Sequence, residues 1–218
     1  MRYFEMECYV FFGIQGSGKG TQAKLLSERT GFQHVNIGDL LREQVALGTE
    51  LGKQVSGTIG LGDLVMDEIV YKLVGDSFCE GCKGIVFDGF PRNMAQAEYL
   101  VKHFEVKHVF FLRLDQEKAI ARISSRRVCA SCGLNYNLVS GAPSRKGICD
   151  DCGGKLVVRD DDKPAAIARR FKKFYKRTLA LREFFQIRGL LSEVDASLEI
   201  DEVSAAINSI VDTETGNR

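Results

Sequence analysis

The sequence predicts an α/β fold with a parallel five-stranded sheet flanked by helices. Three observations carry the prediction. An apolar run, Cys8-Tyr9-Val10-Phe11-Phe12, leads directly into a glycine-rich turn and then into a helical pattern. Apolar runs and helical patterns alternate along most of the chain, which implies parallel strands buried on both faces. One polar segment interrupts this alternation and carries two C-x₂-C pairs, so it reads as an insertion.

The first strand ends at Gly13-Ile14-Gln15-Gly16-Ser17-Gly18-Lys19-Gly20-Thr21, which satisfies G-x-x-x-x-G-K through Gly13, Gly18 and Lys19. Glycines let the backbone turn tightly and expose successive N–H groups. With the following helix N-terminus, those donors form an anion site suited to a phosphate chain. Lys19 adds a point charge at the β and γ phosphates. Gly20 stands where many P-loops have Ser or Thr, and the hydroxyl comes one residue later, at Thr21. A P-loop NTPase core is therefore expected.

The remaining elements follow in order. Gly31 is a natural helix stop, and His34-Val35-Asn36 is a short strand. Asp39 is placed as N-cap of a helix whose Leu40, Leu41 and Val45 share a face. A helix over Glu50 to Ile59 is loosened by Gly52, Gly57, Gly60 and Gly62, as a small closing flap requires. Asp67 caps the next helix. Gly84-Ile85-Val86-Phe87-Asp88 reads as a buried strand that delivers a carboxylate beside the P-loop for Mg²⁺, followed by Gly89-Phe90-Pro91-Arg92 and a helix from Asn93 through Tyr99. His108 to Leu114 is another strand, and Asp115 caps a helix holding Arg122, Arg126 and Arg127. Pro164 suits the first turn of a long helix to about Arg188. Leu190 to Val194 gives the last strand and Asp201 to Val211 the last helix, with a frayed polar tail after Asp212.

The chain has 218 residues, 30 Lys and Arg against 29 Asp and Glu, so any electropositive site is local and broad nucleic-acid or membrane affinity is not expected. No apolar run matches a membrane span, and an N-terminal region carrying Glu5 and Glu7 is unlike a secretory signal. The odd count of seven cysteines argues against a disulfide framework. Four fall as Cys129-x₂-Cys132-x₁₆-Cys149-x₂-Cys152, a structural zinc spacing with a glycine turn after each pair. Four thiolates close a tetrahedral shell and leave no open position for catalysis. Cys8, Cys79 and Cys82 read as ordinary thiols.

Six arginines stand near the proposed site: Arg42 and Arg92 on one side, Arg122, Arg126, Arg159 and Arg170 on the other. Arg122 and Arg126, four apart, would share a helix face. Such a set suits two phosphate-bearing substrates that meet, together bringing roughly six negative charges. No general base is needed, because an attacking phosphate oxygen is already ionised.

Taken together these residues resemble the adenylate kinase family in its long form with a zinc-bearing lid, from about Tyr9 to Val211. The resemblance rests on Gly13 to Thr21, Gly38-Asp39-Leu40-Leu41-Arg42, Asp88-Gly89-Phe90-Pro91-Arg92 with Gln96, Arg122-x₃-Arg126, the four cysteines, Arg159-x-Asp161-Asp162 and Arg170. It implies reversible transfer of the γ-phosphoryl of Mg·ATP to AMP, giving two ADP, by a cytoplasmic monomer. It implies a core of residues 1–35, 65–127 and 160–218, a helical NMP-binding flap at 36–64 and a zinc-binding lid at 128–159. By match, Gly16, Ser17, Gly18, Lys19, Gly20, Thr21, Arg122, Arg126 and Tyr136 hold ATP. Ile37, Arg42, Val65, Gly89, Arg92, Gln96, Arg159 and Arg170 hold AMP, with Gln96 reading adenine. Asp88 orients water on Mg²⁺, and Lys19, Arg92, Arg122, Arg126, Arg159 and Arg170 stabilise the transferring group. Asp161 and Asp162 match lid-hinge acids that bond arginines on closure.

The sequence departs from the family at three points. Ile37 replaces the usual Thr before Gly-Asp, Asn137 stands where a His often follows the lid Tyr, and Asp195-Ala196 replaces Asp-Gly. A broader nucleoside monophosphate kinase, with a UMP or CMP acceptor or a GTP donor, is the first alternative. A zinc-ribbon nucleic-acid binder with a P-loop NTPase is the second, disfavoured because Tyr136 is the sole aromatic evident for base stacking in that segment. A switch-type GTPase ranks last, for want of an Asn-Lys-x-Asp motif.

Overall fold

The structure, a computed structural model, describes residues 6–79 and 81–216. Glu5, cited above, lies outside this description.

Strand β1 (Glu7–Gly13) sits at the centre of a five-stranded sheet because its side chains are apolar on both faces. Cys8, Val10 and Phe12 point into one core, and Tyr9 and Phe11 into another. The other strands are β2 (Gln33–Asn36), β3 (Gly84–Asp88), β4 (Glu105–Arg113) and β8 (Leu191–Asp195), in the order β2-β3-β1-β4-β8. Every pair is parallel, as the alternation predicts.

Helices α1 (Lys19–Thr30) and α9 (Ile200–Gly216) cover one face. They are tied by Gln22 Nε2 donating to Ile200 O at 2.9 Å and by an Arg29–Asp212 ion pair. The other face is covered by α2 (Ile37–Ala46), α4 (Asp67–Asp76), α5 (Met94–His103), α7 (Pro164–Lys173) and α8 (Leu181–Gln186). Helix α3 (Glu50–Gly60) packs on α2, and α6 (Gln116–Ser124) follows β4. Among the described residues no helix is long and apolar enough to cross a membrane. A second, antiparallel sheet of three short strands, β5 (Arg126–Cys129), β6 (Asn135–Asn137) and β7 (Leu156–Val157), lies in the order β6-β5-β7 around Cys129, Cys149 and Leu156.

Several sequence expectations are corrected. The N-cap of α2 is Asn36, whose side chain accepts from Asp39 N, so Asp39 lies inside the first turn. Asp67 is the first residue of α4 rather than its cap, which is Met66. Asp115 does occupy the N-cap of α6, but its side chain makes no capping bond. Arg126 and Arg127 leave that helix altogether. Ser125 caps its end with its Oγ donating to Ala121 O at 3.0 Å, and the two arginines start β5, where pairing with β6 and β7 wins over helical spacing.

The helix that starts at Pro164 is interrupted by a π-helical turn over Phe174–Thr178 before α8. Cys79 and Cys82 form a disulfide, their Cα atoms 5.6 Å apart, so the reading of both as free thiols fails. The last helix runs past Asp212 to Gly216. Gly52 does not loosen α3: a Cβ there would lie 2.0 Å from Gln44 O, so the glycine permits close packing on α2.

Candidate active site

The glycine-rich turn joins β1 to α1 beside the carboxyl end of the sheet. Gly16 and Gly18 hold φ of 85° and 89°, and a Cβ on Gly16 would lie 2.7 Å from Ala119 O of α6. Only glycine fits that combination of backbone angle and contact. The Ser17 Oγ is buried and has no hydrogen-bond partner, an orphan acceptor and donor inside the loop. Lys19 folds back over the turn, donating to Gly13 O and Ile14 O at 2.9 Å each. Burial pushes its pKa down to about 7, against the pull of Asp88, and Arg92, Arg170 and Arg126 lower it further. Gly20 lies in the first turn of α1 and Thr21 is exposed on it.

Asp88 ends β3, buried, with Asn36 Nδ2 donating to its Oδ2 and His34 Nε2 3.9 Å away. A Cβ on Gly20 would approach that oxygen to 3.1 Å, so the residue's small size keeps space open between the P-loop and the carboxylate. A carboxylate beside a phosphate cradle suits a hydrated Mg²⁺, which keeps most of its waters and is reached through one of them.

A cleft opens between this centre and α2. Its apolar wall is Ile37, Leu41, Ile59, Val65 and Val70, and its polar wall includes Arg42, Gly89, Arg92, Gln96, Asp161 and Arg170. Ile37 is buried in the wall, placing a branched alkyl group rather than a hydroxyl in the cleft. Arg92 is aimed by its own Nε donating to Gly89 O at 2.7 Å and by Thr178 Oγ1 donating to its carbonyl at 2.8 Å. Thr178 reaches there from the π-helical turn, a placement no helical periodicity reveals.

Four of the six arginines meet at one acidic cluster. Arg126 grips Asp162 with two donors, its Nε at 2.8 Å. Arg170 Nη1 lies 3.0 Å from Asp161 and 3.4 Å from Asp162. Arg42 pairs with Asp39 and lies 3.6 Å from Asp161, and Arg159 lies 3.6 Å from Asp39 while donating to Asn135 Oδ1 at 2.7 Å. Burial lowers the pKa of Arg170 and Arg159 to about 10 each, so both are poised to gain from added negative charge. For Arg126 the Asp162 carboxylate outweighs burial and raises its pKa. Burial alone would raise Asp161, but Arg170, Arg42 and Arg159 hold it below the usual carboxylate range. Arg122 stands apart, its Nη1 donating to Ala196 O at 2.8 Å.

The four cysteine sulfurs lie within 4.8 Å of one another, Cys129 to Cys152 at 3.4 Å and Cys132 to Cys149 at 3.6 Å. A zinc ion with Zn–S bonds of about 2.3 Å sets tetrahedral S···S separations of about 3.8 Å, so the four thiols fit that ion. Backbone N–H groups of Ser131 and Cys132 point at the Cys129 sulfur. The Tyr136 hydroxyl is spent on this knuckle, 3.4 Å from the Cys149 sulfur and accepting from Asp150 N at 2.7 Å.

A glycine loop at the carboxyl end of a parallel sheet, a buried acid beside it and converging arginines define a P-loop phosphoryl-transfer enzyme. Comparison with known proteins narrows the class. Residues 11–190 match the family model described as adenylate kinase. The chain is 40% identical over 210 residues to an adenylate kinase of Methanocella arvoryzae, covering 93% of this chain and 97% of that one. It is 41% identical over 205 residues to that of Borreliella burgdorferi (93% and 97%), and 40% over 205 residues to that of Kosmotoga olearia (91% and 95%). The chain belongs to the adenylate kinase family.

Proposed function

We propose that the protein reversibly transfers the γ-phosphoryl of Mg·ATP to AMP, giving two ADP. The observation that carries this reading is the arginine cluster, in which Arg42, Arg126, Arg159 and Arg170 converge on acids between the P-loop and the apolar cleft. So dense a set of cations is held ready by carboxylates that incoming phosphates can replace. Arg offers phosphate the same bidentate fork it offers carboxylate.

In this reading the ATP phosphates lie along residues 16–21, with Lys19 leaving the carbonyls of Gly13 and Ile14 for the β and γ oxygens. The AMP phosphate lies between Arg42 and Arg92, and its base lies along Ile37, Val65, Gly89 and Gln96. Arg126, Arg159 and Arg170 neutralise the transferring group, and Arg122 and Tyr136 flank the donor. The ionised AMP oxygen attacks in line, and no residue has to remove a proton. Bound at Asp88 through water, Mg²⁺ would neutralise charge and orient the β and γ oxygens. Residues 1–35, 65–127 and 160–218 act as core, 36–64 as acceptor flap and 128–159 as zinc-held lid. Closure of flap and lid excludes the water that would waste ATP by hydrolysis.

A broader acceptor range is the second reading, favoured by Ile37 in the cleft wall. The test is an acceptor panel of AMP, GMP, CMP and UMP with Mg·ATP, following ADP. Strong preference for AMP is expected. Comparable rates with a pyrimidine acceptor would establish the broader reading, and no transfer to any acceptor would overturn both.

A further inference from the structure

Gln96 has its side-chain amide held from two sides. Its Oε1 accepts from the backbone N–H of Arg92 at 2.8 Å, and its Nε2 donates to Asp67 Oδ1 at 2.6 Å. A backbone N–H can only donate and an ionised carboxylate can only accept. The amide therefore has one permitted polarity, since turning it over would set NH₂ against N–H and oxygen against carboxylate. Asp67 is itself fixed by Asn93 Nδ2, which donates to the same oxygen at 2.9 Å. Asn93 cannot turn either, because its Oδ1 is committed to Gln96 N at 2.9 Å.

One N–H and one lone pair of the Gln96 amide remain for the cleft it lines. A 6-aminopurine offers an acceptor at N1 and a donor at its 6-amino group. A 6-oxopurine offers a donor at N1 and an acceptor at O6, the reverse order. With the base held in place by its phosphate and the apolar wall, a fixed amide bonds the first and opposes the second. We propose that Asp67 is a specificity-determining positioning residue, fixing the polarity of Gln96 so that the site takes a 6-aminopurine monophosphate and rejects a 6-oxopurine one. The proposal rests on the reading of Gln96 as the residue that meets the acceptor base. A site built to hydrogen-bond one pattern rejects its mismatch strongly, because buried polar groups are left unpaired.

The test compares kcat/KM for AMP and IMP, which differ at this edge, in the wild type, Asp67→Asn, Asp67→Ala and Gln96→Ala. The wild type is expected to favour AMP strongly. Both Asp67 variants should lower the AMP-to-IMP ratio, Asp67→Ala about tenfold or more and with IMP itself improving, because the turned amide is then opposed by the Arg92 N–H alone. A merely structural role would weaken both substrates together and leave the ratio in place, which overturns the proposal. A ratio that collapses in Gln96→Ala but holds in the Asp67 variants overturns the role of Asp67 and keeps that of Gln96. A ratio unmoved in Gln96→Ala removes the base-reading role and this proposal with it. Should the Asp67 variants fail to fold, the wild type crystallised with AMP decides. Nε2 between Asp67 and adenine N1 supports the assignment, and an amide turned away from Asp67 overturns it.

Discussion

At Lys19 burial and neighbouring cations act on a single side chain in the same direction. Burial and three nearby guanidinium groups bring its pKa to about 7 from an ordinary value near 10.5. Between those values the unfolded chain binds a proton that the folded chain does not, so this group makes stability rise with pH across that window. Binding of a phosphate chain should restore the ammonium, and titration calorimetry at pH 8 in two buffers of different ionisation enthalpy should read proton uptake. The uptake should shrink in Lys19→Met; equal uptake by both proteins would show that another group takes the proton. Lys19→Ala should lower kcat/KM by about a hundredfold or more, the usual scale for losing a preorganised electrostatic contact. Lys19 was legible from its motif because the spacing is local. Asp67 was legible only as a helix-start acid, and its bond to Gln96 joins positions 29 residues apart. Asn36, which holds Asp88 from a different strand, carried no signal of its kind.

At the level of elements, periodicity succeeded where burial is two-sided and failed where tertiary pairing overrides a local pattern. The three inner strands β1, β3 and β4 were readable because Tyr9, Phe11, Val86 and Phe110 face one core while Val10, Phe12, Phe87 and Phe111 face the other. The α6–β5 boundary was not, since Arg122 to Arg127 has good helical spacing and only its partners in β6 and β7 make residues 126–129 a strand. The π-helical turn before α8 was equally hidden, although it carries Thr178 to Arg92. The small sheet has little apolar surface to bury, with Cys129, Cys149 and Leu156 as its buried apolar residues, so a zinc ion held by its four thiols would carry much of its stability. Chelation of zinc should therefore raise amide exchange across residues 128–159 and lower the melting temperature, while β1, β3 and β4 stay protected. Unchanged exchange in this segment after verified metal loss would show that the sheet holds itself.

On the scale of the whole molecule, segments distant in sequence meet at one group of acids. Asp39 and Arg42 come from α2, Arg126 and Arg159 from the two ends of the small sheet, and Arg170 from α7. The small sheet also has a topological property. It departs from the core at β5 and returns at β7, and these strands are neighbours, with Val128 opposite Val157. Its two ends are thus already side by side, and the chain entropy of closing the loop between them grows only slowly with the loop's length. In genetic terms neighbouring ends are what a cassette needs if it is to be shortened, exchanged or lost without rewriting the sheet that carries the glycine loop. Replacing residues 129–156 by a two-residue turn should leave a folded core by circular dichroism. It should also convert a phosphotransferase into a slow, leaky ATPase, read as phosphate released per ADP formed. A core that unfolds on this replacement would mean that the cassette and the sheet were never separable inheritances.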